Sequence, residues 1–249
     1  MRKYFAEDER FCLICLESLQ NEPDLSELFI GNGHICAKCK SQFKRIDETY
    51  VVNGRRIYAL YEYDTFLERL FFQLKEGRDV ALAPVFIDRK WVRKLRKFDL
   101  LALSSWHEKA AQRGFETLEL IFRGTGVAIH YPFEKVKNYK QSRMHASQRR
   151  ADHGGLKWKD TVHHDYPHAA VIDDVLTTGS TLDALFEISG CDEAFVLAAH
   201  PLWLEEHAAD KKSGSFTFRM PGVSRRSRAA KPTPASCSRL NNSRSFHGS

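Results

Sequence analysis

The sequence predicts an α/β protein: a doubly wound, mainly parallel sheet preceded by a small four-cysteine module. Three observations carry that reading. Short apolar runs alternate with helical patterns from residue 64 onward, two C-x-x-C pairs stand within the first 49 residues, and one apolar run ends in Asp173-Asp174 followed by Thr-Thr-Gly-Ser-Thr. Strands that alternate with helices need crossover connections, and those place helices over both faces of a parallel sheet. The 249 residues, 43% of them hydrophobic, supply one sizeable core and a small appendage. No run reaches the roughly 18 apolar residues of a membrane span, and MRKYFAEDER has no apolar h-region, so a cytoplasmic protein without membrane insertion is expected.

The first element is the pair of knuckles, Cys12-Leu13-Ile14-Cys15 and Cys36-Ala37-Lys38-Cys39, with 20 residues between them. Four thiolates so spaced complete the tetrahedron that zinc accepts, so Cys12, Cys15, Cys36 and Cys39 are the expected metal ligands. A reducing compartment disfavours the disulfide alternative. With four sulfurs no coordination position is left open, so metal catalysis is not expected. The metal either folds a segment too small for its own core or presents Lys38, Lys40, Lys44 and Arg45 to nucleic acid, and both readings stand.

Next, Asn53-Gly54 between two β-prone runs over 50–61 predicts a tight hairpin, because both residues tolerate positive φ. Asp64 caps a helix whose apolar face is Phe66, Leu67, Leu70, Phe71 and Leu74, with Gly77 as its stop. The segment 89–97 is basic and helical, with Trp91 and Phe98 interleaved, a candidate single-strand contact. Strands follow at 99–103, 127–129, 169–172 and 193–198, with helices near 115–123 and 179–189. Between 135 and 159, Lys135, Lys137, Lys140, Arg143, Arg149, Arg150, Lys157 and Lys159 accompany Tyr139 and Trp158. That stretch reads either as a cover that neutralises phosphates or as a nucleic-acid groove. His163, His164 and His168 read as exposed loop histidines, Cys191 as a small core residue and Cys237 as a tail thiol.

The most informative stretch is Asp173, Asp174, Val175, Leu176, Thr177, Thr178, Gly179, Ser180 and Thr181. A buried strand ends at two carboxylates, and a run of small hydroxyl residues then enters a helix. Backbone N–H groups and hydroxyls at a helix N-terminus favour a phosphate monoester, and the adjacent acids can accept from vicinal ribose hydroxyls.

This stretch resembles the phosphoribosyl pyrophosphate (PRPP) loop of type I phosphoribosyltransferases. Over most of the chain to about 219, the order of the pieces is similar to the ComF family of late-competence proteins. Those pieces are the cysteine knuckles, Tyr61-x-Tyr63, a helix with Lys75, Arg113-Gly114-Phe115, Lys140-Gln141-Ser142 with Arg149 downstream, and the PRPP loop. The resemblance implies a phosphoribosyltransferase-like fold, PRPP with Mg2+, and structural zinc. It places the ribose hydroxyls on Asp173 and Asp174, the 5′-phosphate on Thr177 to Thr181, and the pyrophosphate and its cover near Ser104, Ser105, Arg113, Lys140 and Arg149. It further implies handling of single-stranded DNA in natural transformation, with a competence helicase or the membrane DNA-uptake machinery as partners and a peripheral position at the inner face of the membrane. A salvage phosphoribosyltransferase and a PRPP-sensing regulator are the alternatives, and no catalytic residue is identified. There are three departures from the family pattern: Leu103-Ser104-Ser105-Trp106, where many relatives have Pro-Val-Pro and where the pyrophosphate loop should fall, and Glu116 and Asp152 where Asn is common.

The expected organisation is a zinc-binding module over 1–49, the α/β domain over 50–219 and a disordered basic tail over 220–249. Nine of the 38 Lys and Arg residues fall at 211–249, where there is no Asp or Glu, leaving 29 against all 32 acids upstream. The net charge of +6 therefore belongs to the C-terminal stretch from 211 onward, and residues 1–210 are slightly acidic.

Overall fold

In the computed structural model, residues 10–19, 35–105, 111–135, 155–159 and 165–212 are described. All of them fall within the unit Met1–Thr217; Phe218–Ser249 is a second unit, and the predicted basic tail lies outside the described residues. The chain order begins with α1 (Ala37–Lys40), β1 (Arg45–Val52) and β2 (Arg55–Glu62). Val52 pairs with Arg55, so Asn53 and Gly54 alone make the turn, with φ of 51° and 79°. That is the hairpin geometry the dipeptide predicts. β1 starts at Arg45, inside the 1–49 stretch, because the polar run Arg45 to Glu48 carries an irregularity at Asp47 (φ 46°) that masks its alternation.

The helix α2 (Thr65–Lys75) forms as its sequence dictates. The Asp64 carboxylate accepts from the Leu67 N–H at 3.0 Å, and Phe66, Leu67, Leu70, Phe71 and Leu74 are its buried face. Its stop differs in detail from the expectation. The left-handed residue is Arg78 (φ 54°), while Gly77 is required because a Cβ there would lie 2.7 Å from the Gln73 carbonyl oxygen. Asp64→Ala is expected to cost about 1 kcal/mol, read as a lowered urea midpoint at unchanged slope.

A 3-10 segment (Val80–Phe86) leads to α3 (Arg89–Leu95), β3 (Asp99–Leu103), α4 (Thr117–Phe122), β4 (Ile129–Lys135) and β5 (Leu156–Trp158). Then come β6 (Ala169–Leu176), α5 (Ser180–Ser189), β7 (Glu193–Ala199), α6 (Pro201–Glu206) and β8 (Lys211–Lys212). One sheet runs β5-β4-β3-β6-β7-β2-β1-β8. Its five central strands, β4 to β2, are parallel, and β5, β1 and β8 join antiparallel at the edges. The strand expected at 127–129 begins only at Ile129 and continues to Lys135. Against β3 the register goes from Leu101↔His130 to Leu103↔Phe133, so β4 carries one extra residue beside Pro132, which has no N–H to offer the ladder.

Helices cover both faces. Phe195 of β7 is fully buried against Tyr58, Trp91 and Phe98, while its neighbour Val196 belongs to a cluster on the opposite face with Leu185 and Phe186 of α5 and Trp203 of α6. This corrects the reading of 89–98 as a stacking surface. Trp91 is 1% exposed and Phe98 5%, and the Trp91 Nε1–H donates to Asp47 at 2.8 Å, so neither ring is open to a base. Cys191 is buried in the core, as expected.

Candidate functional site

The chain leaves β3 toward β4 and returns to β6 on the other side of β3, so the strand order reverses between β3 and β6. Crevices at the carboxyl ends of strands form at such reversals. Here β6 pairs with β3 only from Ala169 to Val171, yet stays paired with β7 through Leu176. Beyond Val171 the two strands part. A cleft of about 320 Å3 opens there, lined among others by Lys75, Ser104, Ser105, Glu116, Asp173 and Asp174.

Burial, and then the neighbouring charge of Asp174, push the Asp173 carboxyl up to about 7. The Asp174 N–H donates to Asp173 Oδ1 at 2.9 Å, and Asp174 Oδ2 lies 2.6 Å from Lys75 Nζ. Lys75 comes from the last turn of α2, its ammonium 5.1 Å from the Phe71 ring centre, so the helix that the Asp64 cap starts delivers the cation that faces β6. Tyr131, on β4, also lines the cleft. Burial and the charges of Glu116 and Glu119 hold its phenol far above the ordinary value, so it stays protonated.

The predicted loop follows directly. Gly179 (φ 83°) ends the turn and starts α5, its carbonyl accepting from the Asp183 N–H at 2.9 Å, a left-handed position that suits glycine. Val175 and Thr181 line the cleft, and Thr177, Thr178 and Ser180 are exposed beside it. Leu176 is different: its side chain is 2% exposed in the core and its carbonyl accepts from the His200 N–H at 2.8 Å. It spaces the loop and offers a ligand no side chain.

Of the other candidates, Ser104 and Ser105 do reach the cleft. Ser104 Oγ accepts from Lys159 Nζ at 3.0 Å, and the Ser105 N–H donates to both oxygens of Glu116, at 3.1 and 3.2 Å. Arg113 also reaches the wall, with its guanidinium committed within the protein: Nε to the Lys75 carbonyl, Nη1 to Thr117 and Nη2 to Glu76. Lys140, Arg149, His163 and His164 lie outside the described residues, and His168 is exposed in its loop, as expected. Sequence reasoning missed Tyr131, because a lone tyrosine in a strand carries no chemical signature.

A larger cavity, about 490 Å3, lies elsewhere, between the 3-10 segment, α3 and α4. It is lined by Ala83, Pro84, Val92 and Leu120 together with Arg89, Arg96 and Arg123. Its one carboxylate, Asp88, caps α3 and pairs with Arg45, so the convergent polar groups are in the smaller cleft.

The four predicted ligands come together. The sulfurs of Cys12, Cys15, Cys36 and Cys39 lie within 4.8 Å of one another, close enough to hold a metal ion. Cys15 and Cys36 Sγ are 3.6 Å apart, too long for a disulfide and near the ~3.8 Å edge of a tetrahedron with bonds of about 2.3 Å. The Cys39 N–H donates to Cys36 Sγ at 3.4 Å. Burial raises the Cys12 thiol, but N–H groups of Cys15, Cys36 and Ile14 outweigh it and bring it down to about 7; burial and the other thiols push Cys39 far up. Four crowded sulfurs held by donors are a set that a bound cation would neutralise.

The bases around the second knuckle are largely spoken for. Lys38 pairs with Glu17, Lys44 with Glu62 and Asp64, and Arg45 with Asp47 and Asp88. Burial would raise the Asp47 carboxyl, yet hydrogen bonds from Trp91 and Lys90 and the Arg45 charge hold it at about 2. Among the described residues, no helix is long and apolar enough to cross a membrane. No protein-family model matches the chain, and no curated protein matches it.

Proposed function

We propose that this chain is a phosphoribosyl-binding protein of ComF type. It takes PRPP with Mg2+ in the cleft between β3 and β6, carries structural zinc on its four cysteines, and handles single-stranded DNA on the cytoplasmic side during natural transformation. The observation that carries this reading is the Asp173-Asp174 pair facing a cleft at the reversal of strand order, with a hydroxyl-rich turn and the start of α5 beside it. In it, the two carboxylates accept from the 2′- and 3′-hydroxyls, and Thr177 to Thr181 surround the 5′-phosphate. Lys75 holds Asp174 in place from the far side. Mg2+ bound with PRPP neutralises the pyrophosphate.

Calorimetric titration with Mg2+-PRPP and with ribose 5-phosphate tests the small-molecule half; absence of heat and of thermal protection with both removes it. Single-stranded DNA titrated at several salt concentrations tests the other half. A chain ending at Arg219 is expected to bind as tightly as the full chain, and no binding at low salt, where phosphate contacts are strongest, overturns the DNA role. Release of pyrophosphate with any nucleobase replaces the binding role by a salvage transferase.

A further inference from the structure

Granting that the cleft is a phosphoribosyl site, one residue in it sets which phosphoribosyl compound fits. Two segments flank the crevice. The hydroxyl-rich turn follows β6, and Ser104-Ser105 follows β3. Among the described residues after β3, the Ser105 N–H is a backbone donor at the cleft, and it is engaged by both carboxylate oxygens of Glu116. Glu116 stands at the N-cap position of α4 but makes no cap bond to its own helix, so its side chain serves the cleft. Of the cations near this wall, Lys75 pairs with Asp174, Arg113 with Glu76 and Lys159 with Ser104, and Lys135 also lines the cleft.

We infer that Glu116 determines specificity by holding the Ser105 N–H, a backbone donor at the cleft, with a negative charge of its own. The cleft therefore favours a 5-phosphoribosyl ligand with an uncharged, hydroxyl-bearing C1, such as ribose 5-phosphate, over PRPP. A hydroxyl at C1 can donate to the lone pairs that Glu116 keeps free of Ser105. A diphosphate must instead displace the carboxylate from its N–H and then share a confined space with it, which is like-charge rejection built into the wall. Glutamine at this position keeps the length of the side chain and an oxygen for the Ser105 N–H, and removes the charge.

The test is calorimetric titration of the full-length, metal-loaded chain with Mg2+ and either ribose 5-phosphate or PRPP, for the native protein and for Glu116→Gln. The native chain is expected to prefer ribose 5-phosphate. Glu116→Gln is expected to tighten PRPP about tenfold while moving ribose 5-phosphate less than about threefold, the scale of one charged hydrogen-bonding interaction. Glu116→Ala, which also lacks the charge, moves PRPP in the same direction and serves if the Gln chain does not fold. Two results overturn the inference while leaving the phosphoribosyl site intact: a native preference for PRPP, or PRPP binding that is unchanged or weakened in both variants. Failure of both ligands to bind any of the chains removes the phosphoribosyl reading itself, and this inference with it.

Discussion

Replacing Asp173 and Asp174 together by Asn is expected to abolish the thermal protection that a phosphoribosyl ligand would give under the proposed function. At a ligand concentration about 100 times Kd, that function predicts a gain of about 2.7 kcal/mol for the native chain, or roughly 5 to 10 °C in Tm for a domain of this size. The double variant should gain nothing from PRPP or from ribose 5-phosphate, and unchanged protection would remove the ribose-binding role of the pair. The single change Asp173→Asn carries a second, opposite signature. Burial and the Asp174 charge raise the Asp173 carboxyl to about 7 in the fold, against about 3.9 in the unfolded chain. Between those values the folded state keeps a proton that the unfolded state has lost. Stability therefore falls as pH climbs from about 4 through 7, and the penalty is complete above 7. The full shift corresponds to about 4 kcal/mol, and partial solvent access lowers the expectation to about 1 to 3 kcal/mol. Asn keeps the acceptor for the Asp174 N–H, so Asp173→Asn should stabilise the ligand-free protein at pH 8 and flatten its pH slope. Chemical denaturation across pH measures both; an unaltered slope would show that the carboxyl titrates normally.

Changing Cys12 and Cys15 to Ser is expected to release the metal and unfold the knuckles. Structural zinc sites in small peptides hold about 10 to 16 kcal/mol of binding energy, which is the folding energy of such segments. Among the described residues, the backbone bonds of the knuckles are short-range, such as Cys12 N–H to the Glu17 carbonyl, Leu16 N–H to Cys12, Leu19 N–H to Arg10 and Lys40 N–H to Cys36. The link to the sheet comes after the second knuckle, where the Phe43 ring lies 5.3 Å from Tyr61 and 5.2 Å from Phe66, and Lys44 reaches Glu62. Hydrogen exchange should then show the knuckle amides unprotected and those of β6 and β7 unchanged, with zinc stoichiometry falling from one to zero by elemental mass spectrometry. Equal loss of protection in β6 and β7 would make knuckles and sheet one cooperative unit.

The parts of this fold that were legible in the sequence are those set by local chemistry. The Asn53-Gly54 turn, the Asp64 cap with its five-residue apolar face, and the two C-x-x-C pairs each need only neighbours within a few residues. Strand β4 was misplaced because His130 to Lys135 holds a proline and only one buried apolar residue, Phe133, and what makes the stretch a strand is pairing with β3 and β5. β5 and β8 were not foreseen for the same reason: three and two residues hold no periodicity. In the cleft, the carboxylate pair and its turn were visible as a contiguous stretch. The contact of Glu116 with Ser105 was not, because it joins residues 11 apart across the segment that follows β3. The aromatic residues of 89–98 read as a surface because a basic helix with a tryptophan looks the same in sequence whether its ring faces water or Phe195.

The parallel pairing of β2 with β7 also bears on how the chain is built during synthesis. Arg56 and Glu193 are 137 residues apart and meet across that ladder. The hairpin is synthesised well over a hundred residues before its sheet partner, so β2 must wait with one edge unpaired until β7 arrives. Contacts of such long range slow folding and leave a strand edge open to other chains. The four cysteines span 28 residues and all precede the hairpin, so the metal site is available to fold while the sheet is still incomplete. Metal supply during translation would then govern the yield of native protein, seen as more aggregate when the cells are starved of zinc.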